Sequence, residues 1–292
     1  MKVVGYSDTL SLQPDETIQF MVSCDLPKYR ADIVRLIHGD TNPEGPGFKE
    51  QEINADINWH YRGRKYSINS GSYVWVPEHS LLGTRSGFTF QCWIYPTTPT
   101  KPNQGIFTNW CEATQTGYGV LISDGGMLSI WMGDKNSNYI EISSGIELQG
   151  NNWYFVCASY DAKDRKIVLV QNPTPKWPGD PQVVVEQELK QSIILGSKGA
   201  VSIGCYFAGD ASRIGSMQGF FNGKIDGPRL FCRGLGVKEI TSLSDSSLRN
   251  RHNRWLVASW NFSKDIEKTL ISDMSPNQLH GHSINMPNRG AR

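Results

Sequence analysis

Short apolar runs separated by turn residues recur along most of this sequence and constrain the fold more than any other feature. From residue 67 onward they are brief and regularly spaced, as in "FTFQCWIY", "GYGVLISDGGMLSIWMGD" and "NNWYFVCASYDAKDRKIVLVQN". Runs of this length, rich in Val, Ile and aromatic residues and bounded by Gly, Pro, Asn and Asp, are typical of β strands. They predict about a dozen strands, arranged as two stacked antiparallel sheets.

One helix is predicted among these strands. The stretch "GVKEITSLSD" places Val237, Ile240 and Leu243 on one helical face, with Glu239 near the start. The predicted fold class is therefore all-β with a short helix.

The stretch "GYGVLISDGGMLSIWMGD" predicts a hairpin with its tip at Asp124, Gly125 and Gly126. A two-residue loop at either pair of tip residues gives the same pairing parity. One face would then carry Leu121, Leu128, Ile130 and Met132, and the other Tyr118, Val120, Ile122 and Trp131. Strands that are apolar on both faces are expected in the middle of a sandwich or at the floor of a groove.

The N-terminal part of the chain reads as a separate β leader. "KVVGYSDTLSL" and "DETIQFMVSC" predict strands, while "YRADIVRLIHGD" fits a strand or a helix, its Val and Ile content favouring the strand. The Pro- and Gly-rich stretch "DTNPEGPGFKEQEINAD" then marks the best domain boundary. We expect a leader at residues 1–56 that packs on a main domain at residues 57–292.

Charge and hydropathy exclude several partners. The chain has 29 Lys and Arg against 28 Asp and Glu, which leaves no electrostatic footprint for nucleic acid or an anionic membrane. No run of about 18 apolar residues could span a bilayer. The first residues, "MKVVGYSDTLSLQPDET", lack the apolar core of a secretory signal, so a cytoplasmic location is expected.

The cysteines are predicted to be structural thiols. The chain has six, none of them in a CxxC pair, which argues against a zinc ribbon or a thioredoxin motif. Cys92, Cys157 and Cys232 lie within apolar runs. All six are therefore expected to be free and reduced.

Several short patterns suggest chemistry but lack a complete set of groups. His280 and His282 have a zinc-like spacing without a third ligand, and the pair His38 and Asp40 lacks a nucleophile in an elbow. Glycoside hydrolysis needs paired carboxylates, and the pair Glu52 and Asp56 has the wrong spacing. No catalytic residue is therefore predicted.

The stretch "MGDKNSNYI" offers oxygen ligands of the kind that calcium prefers. Asp134, Asn136 and Asn138 form this weak calcium candidate, with Asp210 as a further carboxylate. Asx-rich segments more often form turns through their own backbone hydrogen bonds, so the turn is the favoured interpretation.

Five stretches follow one another in a recognisable order: "FTFQCWIYPTTP", "QGIFTNW", "GYGVLISDGGMLSIWMGD", "WYFVCASYDAKDRKIVL" and "GFFNGKIDGPRLFCRGLGVKEI". This order resembles that of the laminin-G-like, concanavalin A-like jelly rolls. The closing stretch "WNFSKDIEKTLISDMSPNQLHGHSINMPNRGAR" is similar to their last strands. The resemblance covers roughly residues 66–290 and implies a jelly-roll sandwich.

The resemblance also bears on Asp226, the single acid in "FFNGKIDGPRLF". In these jelly rolls the matching position is a recurrent structural acid. Asp226 is therefore expected to accept backbone N–H bonds from a neighbouring loop rather than to act in catalysis.

The N-terminal stretches "VVGYSDTLSLQPDETIQFMVS" and "YRADIVRLIHGDTNPEGPGFKEQEI" resemble the start of the large, or beta, subunit of the N,N-dimethylformamidase family. This likeness implies that the chain is a non-catalytic scaffold or interaction module of an amide hydrolase acting on formamides. The family's mononuclear iron, held by two tyrosines and a glutamate, would lie beyond Arg292, so no cofactor is assigned to this chain. The implied partners are the remainder of the large subunit and a small subunit.

The alternative is a lectin-like module that binds a glycan, with or without calcium. Trp131 and Tyr139 are the candidate binding residues, since exposed aromatic rings stack on sugars. For Trp131 we favour a core position, because a large exposed apolar patch would be a liability.

Overall fold

The computed structural model describes residues 3–9, 11–65, 71–83, 86–134, 136, 139–174, 182–193, 195, 199–209, 217–245 and 252–290. The chain divides into two compact units, Met1–Ile68 and Asn69–Arg292. This boundary lies C-terminal to the position expected from composition, after residue 56. The reason is that strand Trp59–Arg62 pairs with strand Lys28–Ala31 and so belongs to the first unit.

The first unit consists of small antiparallel sheets. Its described strands are β1 (Val3–Ser7), β2 (Phe20–Cys24), β3 (Lys28–Ala31), β4 (Val34–His38), β5 (Lys49–Glu52) and β6 (Trp59–Arg62). They form the two-stranded pairs β1–β2, β3–β6 and β4–β5. The ambiguous stretch at residues 29–40 is therefore extended, as its Val and Ile content predicted, and the Pro- and Gly-rich stretch after it contains β5.

The second unit holds the remaining strands and the helix. Its strands are β7 (Tyr73–Val76), β8 (Gly87–Pro96), β9 (Gln104–Thr108), β10 (Gly117–Ile122), β11 (Met127–Gly133), β12 (Tyr139–Glu147), β13 (Trp153–Asp161), β14 (Lys166–Thr174), β15 (Val183–Glu188), β16 (Val201–Ile203), β17 (Tyr206–Phe207), β18 (Met217–Gln218), β19 (Gly223–Phe231), β20 (Leu256–Asn261), β21 (Leu270–Asp273) and β22 (Gly281–Ile284). Helix α1 spans Val237–Ser244, and short 3-10 turns lie at Ser80–Leu82 and Asn253–Trp255.

Apart from β17 and β18, which pair with each other, these strands form two antiparallel sheets that pack face to face. One sheet has the order β12-β11-β10-β9-β16-β7-β22-β21 and the other β20-β19-β8-β13-β14-β15, joined where β20 pairs with β21. Phe90 of β8 stacks on Phe107 of β9 with ring centroids 4.1 Å apart, which places the main core between the sheets. The predicted all-β, concanavalin A-like sandwich with one short helix is confirmed.

The β10–β11 hairpin has a different register from the predicted one. Tyr118, Val120 and Ile122 lie opposite Met132, Ile130 and Leu128, so all six share the core face. Leu121 and Trp131 lie on the outer face. The predicted assignment of faces is wrong for this hairpin.

The turn explains the difference. The Ser123 N–H donates to the Met127 carbonyl at 2.9 Å, which leaves three residues in the loop rather than two. Gly125 and Gly126 have φ values of 93° and 78°, which are cheap for glycine. One additional loop residue moves every side chain of one strand to the opposite face.

The helix buries the face that its periodicity predicted. Ile240 and Leu243 are buried against the outer face of the second sheet, in a cluster that contains Phe155 and Phe231. At its start, the Gly236 N–H donates to Glu239 Oε2 at 3.1 Å. This bond satisfies one of the free amides of the first turn.

All six cysteines are free, as predicted, and four of them are buried. Within the described residues, no helix is long and apolar enough to cross a membrane.

Candidate functional site

Asp226 lies on β19 opposite Trp93 of β8, just before the two strands shift register. Gly227, with φ at 56°, forms part of this irregularity. The carboxylate is exposed, and among the described residues no hydrogen-bond donor to it is found. The backbone N–H bonds expected for Asp226 are therefore not found within the described part of the chain.

Asp273, at the end of β21, is the carboxylate that accepts such bonds. It is buried, and it accepts from the backbone N–H groups of Ser259 (2.7 Å), Ser275 (2.9 Å) and Leu279 (2.8 Å). The Ser275 hydroxyl donates a further bond at 2.7 Å. Asp273 thus holds together β20 and the turn after β21. The sequence signal was an Asp at a strand end followed two residues later by Ser, a turn-forming pattern.

Asp226 instead lines a cleft in the second unit, with a volume of about 970 Å³. Val74, Ile203 and Ile271 form its wall on the side of the first sheet. The opposite wall carries Phe221, Ile225 and Phe262, which precede, lie on and follow strands of the second sheet. These side chains belong to or pack against the core between the sheets, so the cleft opens into one end of that core.

Three cations line the cleft with Asp226: Lys101, Lys224 and Arg289. The Lys101 ammonium donates to the Phe220 carbonyl at 3.3 Å, and the Lys224 ammonium lies 5.5 Å from the centroid of the Tyr95 ring. Asp226 is the one carboxylate among the lining residues. The described lining is therefore apolar inside and net positive.

Arg289 differs from the two lysines because three backbone carbonyls accept hydrogen bonds from its guanidinium. Its guanidinium donates to the carbonyls of Asp265 (2.5 Å), Leu270 (3.4 Å) and Lys268. These bonds fix the C-terminal segment beside β21. Sequence reasoning missed the cleft, although Lys224 and Asp226 are two residues apart on a strand and so share a face.

Trp131 and Tyr139 lie in one aromatic cluster on the outer face of the first sheet. Trp131 makes edge contacts with Trp110 and Tyr206, at centroid distances of 5.7 and 6.0 Å. Only 6% of Trp131 is exposed, against 39% of Tyr139. Tyr139 therefore presents a ring to solvent, while Trp131 belongs to a packed cluster.

Two carboxylates border this cluster. The Trp110 indole N–H donates to Glu112 at 2.8 Å, and the Tyr139 hydroxyl donates to Glu141 at 3.2 Å. Burial, with Glu141 as the next cause, raises the pKa of Tyr139 well above its ordinary value. The indole Nε1 of Trp131 is buried and has no partner among the described residues.

In the calcium candidate, the two described residues Asp134 and Asn136 form a turn. Asp134 is buried, and its Oδ1 accepts the backbone N–H of Asn136 at 2.8 Å, as in an Asx turn. Asn138 and Asp210 lie outside the described residues. In the described part of the chain, no three His, Cys, Asp or Glu side chains come together as a metal site would require.

The two candidate pairs that contain histidine, His280 with His282 and His38 with Asp40, do not form a common site either. His280 Nδ1 accepts the backbone N–H of Asp273 at 3.1 Å, whereas the exposed His282 lies beside Trp75. In the first unit, His38 Nδ1 lies 3.0 Å from the Gly47 carbonyl, and Asp40 accepts the N–H of Asn42.

Comparison with known proteins bears on both units. Residues 69–175 match the laminin-G family described as the concanavalin A-like lectin/glucanases superfamily. The N,N-dimethylformamidase beta subunit of Paracoccus aminophilus is 32% identical over the whole chain, and that of an Alcaligenes species is 29% identical over 98% of it. The chain is related to the dimethylformamidase beta subunits.

The chain spans 40% of the length of each of these dimethylformamidase beta subunits. Among solved structures, a heptameric SAP-like pentraxin of Limulus polyphemus is similar in fold, with 16% identity and a TM-score of 0.41. That alignment covers 61% of this chain and 78% of the pentraxin chain.

Proposed function

We propose that this chain is a non-catalytic scaffold and interaction module of a dimethylformamidase-like amide hydrolase subunit, docked to the rest of that polypeptide through its first unit. The observation that carries the proposal is the imbalance between apolar residues and buried residues in that unit. Cys24 is the one buried side chain among its described residues.

The first unit nevertheless displays many large apolar side chains. Of the 21 exposed large hydrophobic residues among the described positions, 14 belong to it. They are Val3, Val4, Tyr6, Leu12, Phe20, Leu26, Ile33, Val34, Leu36, Ile37, Phe48, Ile53, Ile57 and Trp59. Isolated apolar residues on a surface are ordinary, but a concentration of this kind marks an interaction site.

The architecture of the first unit also supports the docking proposal. A two-stranded sheet is at best marginally stable in water, and the described residues of this unit form three of them. Another polypeptide that covers these sheets would remove their apolar side chains from water. This burial stabilises the bound state by about 25 cal/mol per Å² of apolar surface. The occupant we assign is the part of the subunit that extends beyond the matched 40% of the relatives.

The docking is tested by association of separately expressed parts. The chain is mixed with the remaining polypeptide of a full-length dimethylformamidase beta subunit, and the complex is followed by calorimetry and size-exclusion chromatography. Ile37→Glu and Trp59→Glu should weaken association at least about tenfold without changing the melting temperature, because these side chains are 59% and 68% exposed. The matched controls Val184→Glu and Ile146→Glu, at exposed sites of the second unit, should bind like the parent chain. Absence of a complex, or equal losses in the controls, would refute the docking.

The non-catalytic part has its own test. We expect the purified chain to release no amine from formamides, with or without added iron, and to cleave no glycoside. In this proposal the groups that hold iron and activate water belong to the part of the subunit that this chain does not span. Turnover above a buffer-plus-iron control would overturn the assignment.

Glycan binding is the second candidate, and the exposed ring of Tyr139 is the observation that favours it. An aromatic face flanked by carboxylates such as Glu112 and Glu141 offers stacking and hydrogen-bond acceptors to a sugar. A glycan array probed with the parent chain and with Tyr139→Ala decides this: retention lost in the variant supports it, and no retention by the parent chain rules it out.

A further inference from the structure

We propose that the cleft at the end of the sandwich, lined by Lys101, Lys224 and Asp226, binds a small carboxylate with an apolar body. The site is in the second unit and is independent of the docking proposed for the first. Its apolar walls would take the hydrocarbon part of the ligand, and its lysines would take the carboxylate.

The size and lining of the cleft are those of a ligand site. Small-molecule pockets typically enclose about 300–1,000 Å³ and are mostly apolar with a few polar groups, and this cleft has about 970 Å³. Tyr73, Trp153, Phe220, Phe221 and Phe262 contribute five aromatic side chains to its lining. Phe221 and Phe262 are only partly buried by the core, so apolar surface remains for a ligand to cover.

The charges select the sign of the ligand. Within the described part of the chain, Lys101 donates one hydrogen bond, to the Phe220 carbonyl, so two of its ammonium protons remain for a ligand. The Lys224 ammonium lies over the Tyr95 ring, and among the described residues no hydrogen-bond acceptor for it is found. The third cation, Arg289, adds positive charge although its guanidinium is held by backbone carbonyls.

The negative charge of Asp226 repels an anionic ligand, so Asp226 should affect binding in the opposite direction to the lysines. Its exposed carboxylate is the one negative charge among the described lining residues, and it lies two residues from Lys224 on the same strand. Removing its charge should therefore strengthen binding of an anion, while removing a lysine charge should weaken it. A site in which Asp226 recognised a cation would show the opposite pattern.

The experiment is calorimetric titration of the full chain with 4-phenylbutyrate, 4-phenylbutanol and 4-phenylbutylamine, which share one apolar body. We expect saturable binding of the carboxylate with a dissociation constant on the order of 0.1–1 mM, as suits so small a ligand. The amine should bind at least about tenfold more weakly than the carboxylate.

Four variants locate the site. Lys101→Met and Lys224→Met should each weaken binding about three- to tenfold, and Asp226→Asn should tighten it about twofold or more. Lys163→Met, at the exposed turn after β13, should bind like the parent chain. All four positions are exposed, so a melting curve of each variant should match the parent. No saturable binding of the carboxylate, equal binding of the amine, or weakening by Asp226→Asn would each overturn the proposal.

Discussion

At the scale of single residues, two aspartates on β19 and β21, the strands on either side of β20, have opposite environments. Asp273 is buried and accepts four hydrogen bonds, whereas Asp226 is exposed and lines a cleft. When an ionised carboxylate is buried, hydrogen bonds from several backbone N–H groups replace the hydrogen bonds to water that it loses. The two residues therefore form a matched pair for testing where the fold depends on a carboxylate.

Asp273→Asn should destabilise the protein by about 2–4 kcal/mol, because an amide replaces one acceptor oxygen with a donor that faces N–H groups. Asp226→Asn should change the free energy of unfolding by less than about 0.5 kcal/mol, as at other exposed sites. Urea denaturation followed by circular dichroism measures both. Equal stability of the two variants would contradict the structural role given to Asp273.

The cysteines also differ residue by residue, through burial. Burial raises the pKa values of the Cys92, Cys157 and Cys205 thiols well above their ordinary range, while Cys232 is exposed. A buried neutral thiol is a poor nucleophile. In native protein at pH 8, iodoacetamide should modify Cys232 first and these three last, as mass spectrometry would show. After denaturation without a reductant, six thiols should titrate, and a count of four or fewer would contradict the free state.

The same pKa shifts predict how stability depends on pH. A thiol whose pKa is raised by folding contributes fully below its unfolded pKa of about 8.5 and loses that contribution as pH rises further. The free energy of unfolding should therefore fall as pH rises above about 8.5 towards the raised pKa values of the folded state, because thiols ionise in the unfolded chain first. The variant Cys157→Ala should show a shallower fall than the parent. An identical pH slope in the two proteins would count against this contribution.

At the scale of elements, the β10–β11 hairpin shows how one loop residue determines which side chains form the core. Its three-residue loop places six apolar residues between the sheets and leaves Leu121 and Trp131 outside. Trp110 and Tyr206 then cover Trp131 from neighbouring segments. The outer face of this hairpin thus has a small core of its own.

Trp131→Ala should lower the free energy of unfolding by about 3–5 kcal/mol, as expected when a buried indole leaves a cavity. Ile146→Ala on β12 is the matched control, since 42% of Ile146 is exposed, and it should cost less than about 1 kcal/mol. Thermal and urea denaturation give both values. A Trp131→Ala protein with the parent stability and lost glycan retention would mean that the ring is a binding surface.

At the scale of the whole molecule, burial is divided unequally between the two units. The second unit contains a large core between its sheets and further clusters outside them, while the first buries Cys24 alone among its described residues. Burial of apolar surface is the main term that offsets the loss of chain entropy on folding. The units should therefore differ in their ability to fold independently.

Residues 71–292 expressed alone should unfold in one cooperative transition, whereas residues 1–65 alone should lack the dispersed NMR signals of a folded chain. Heteronuclear NMR of each fragment is the measurement. A folded, cooperative fragment 1–65 would show that this unit does not need a covering partner, and it would remove the main support for the docking proposal.

Local sequence was enough to predict most strands, helix α1 and the free thiols, because each depends on periodicity or on neighbouring residues. The apolar spacing of Ile240 and Leu243 was enough to place α1. The faces of the β10–β11 hairpin were not determined, because one residue in a glycine-rich loop reverses them at little cost in local energy.

Which acid is structural, and where a cleft lies, depends on contacts between segments that are far apart in the sequence. Asp273 accepts backbone N–H bonds from β20 and from the turn after β21, and the cleft is lined by Lys101, Lys224 and Arg289 from distant parts of the chain. Such sites depend on how sheets pack and loops meet. That packing is fixed by the burial of the whole core, which no short stretch of sequence contains.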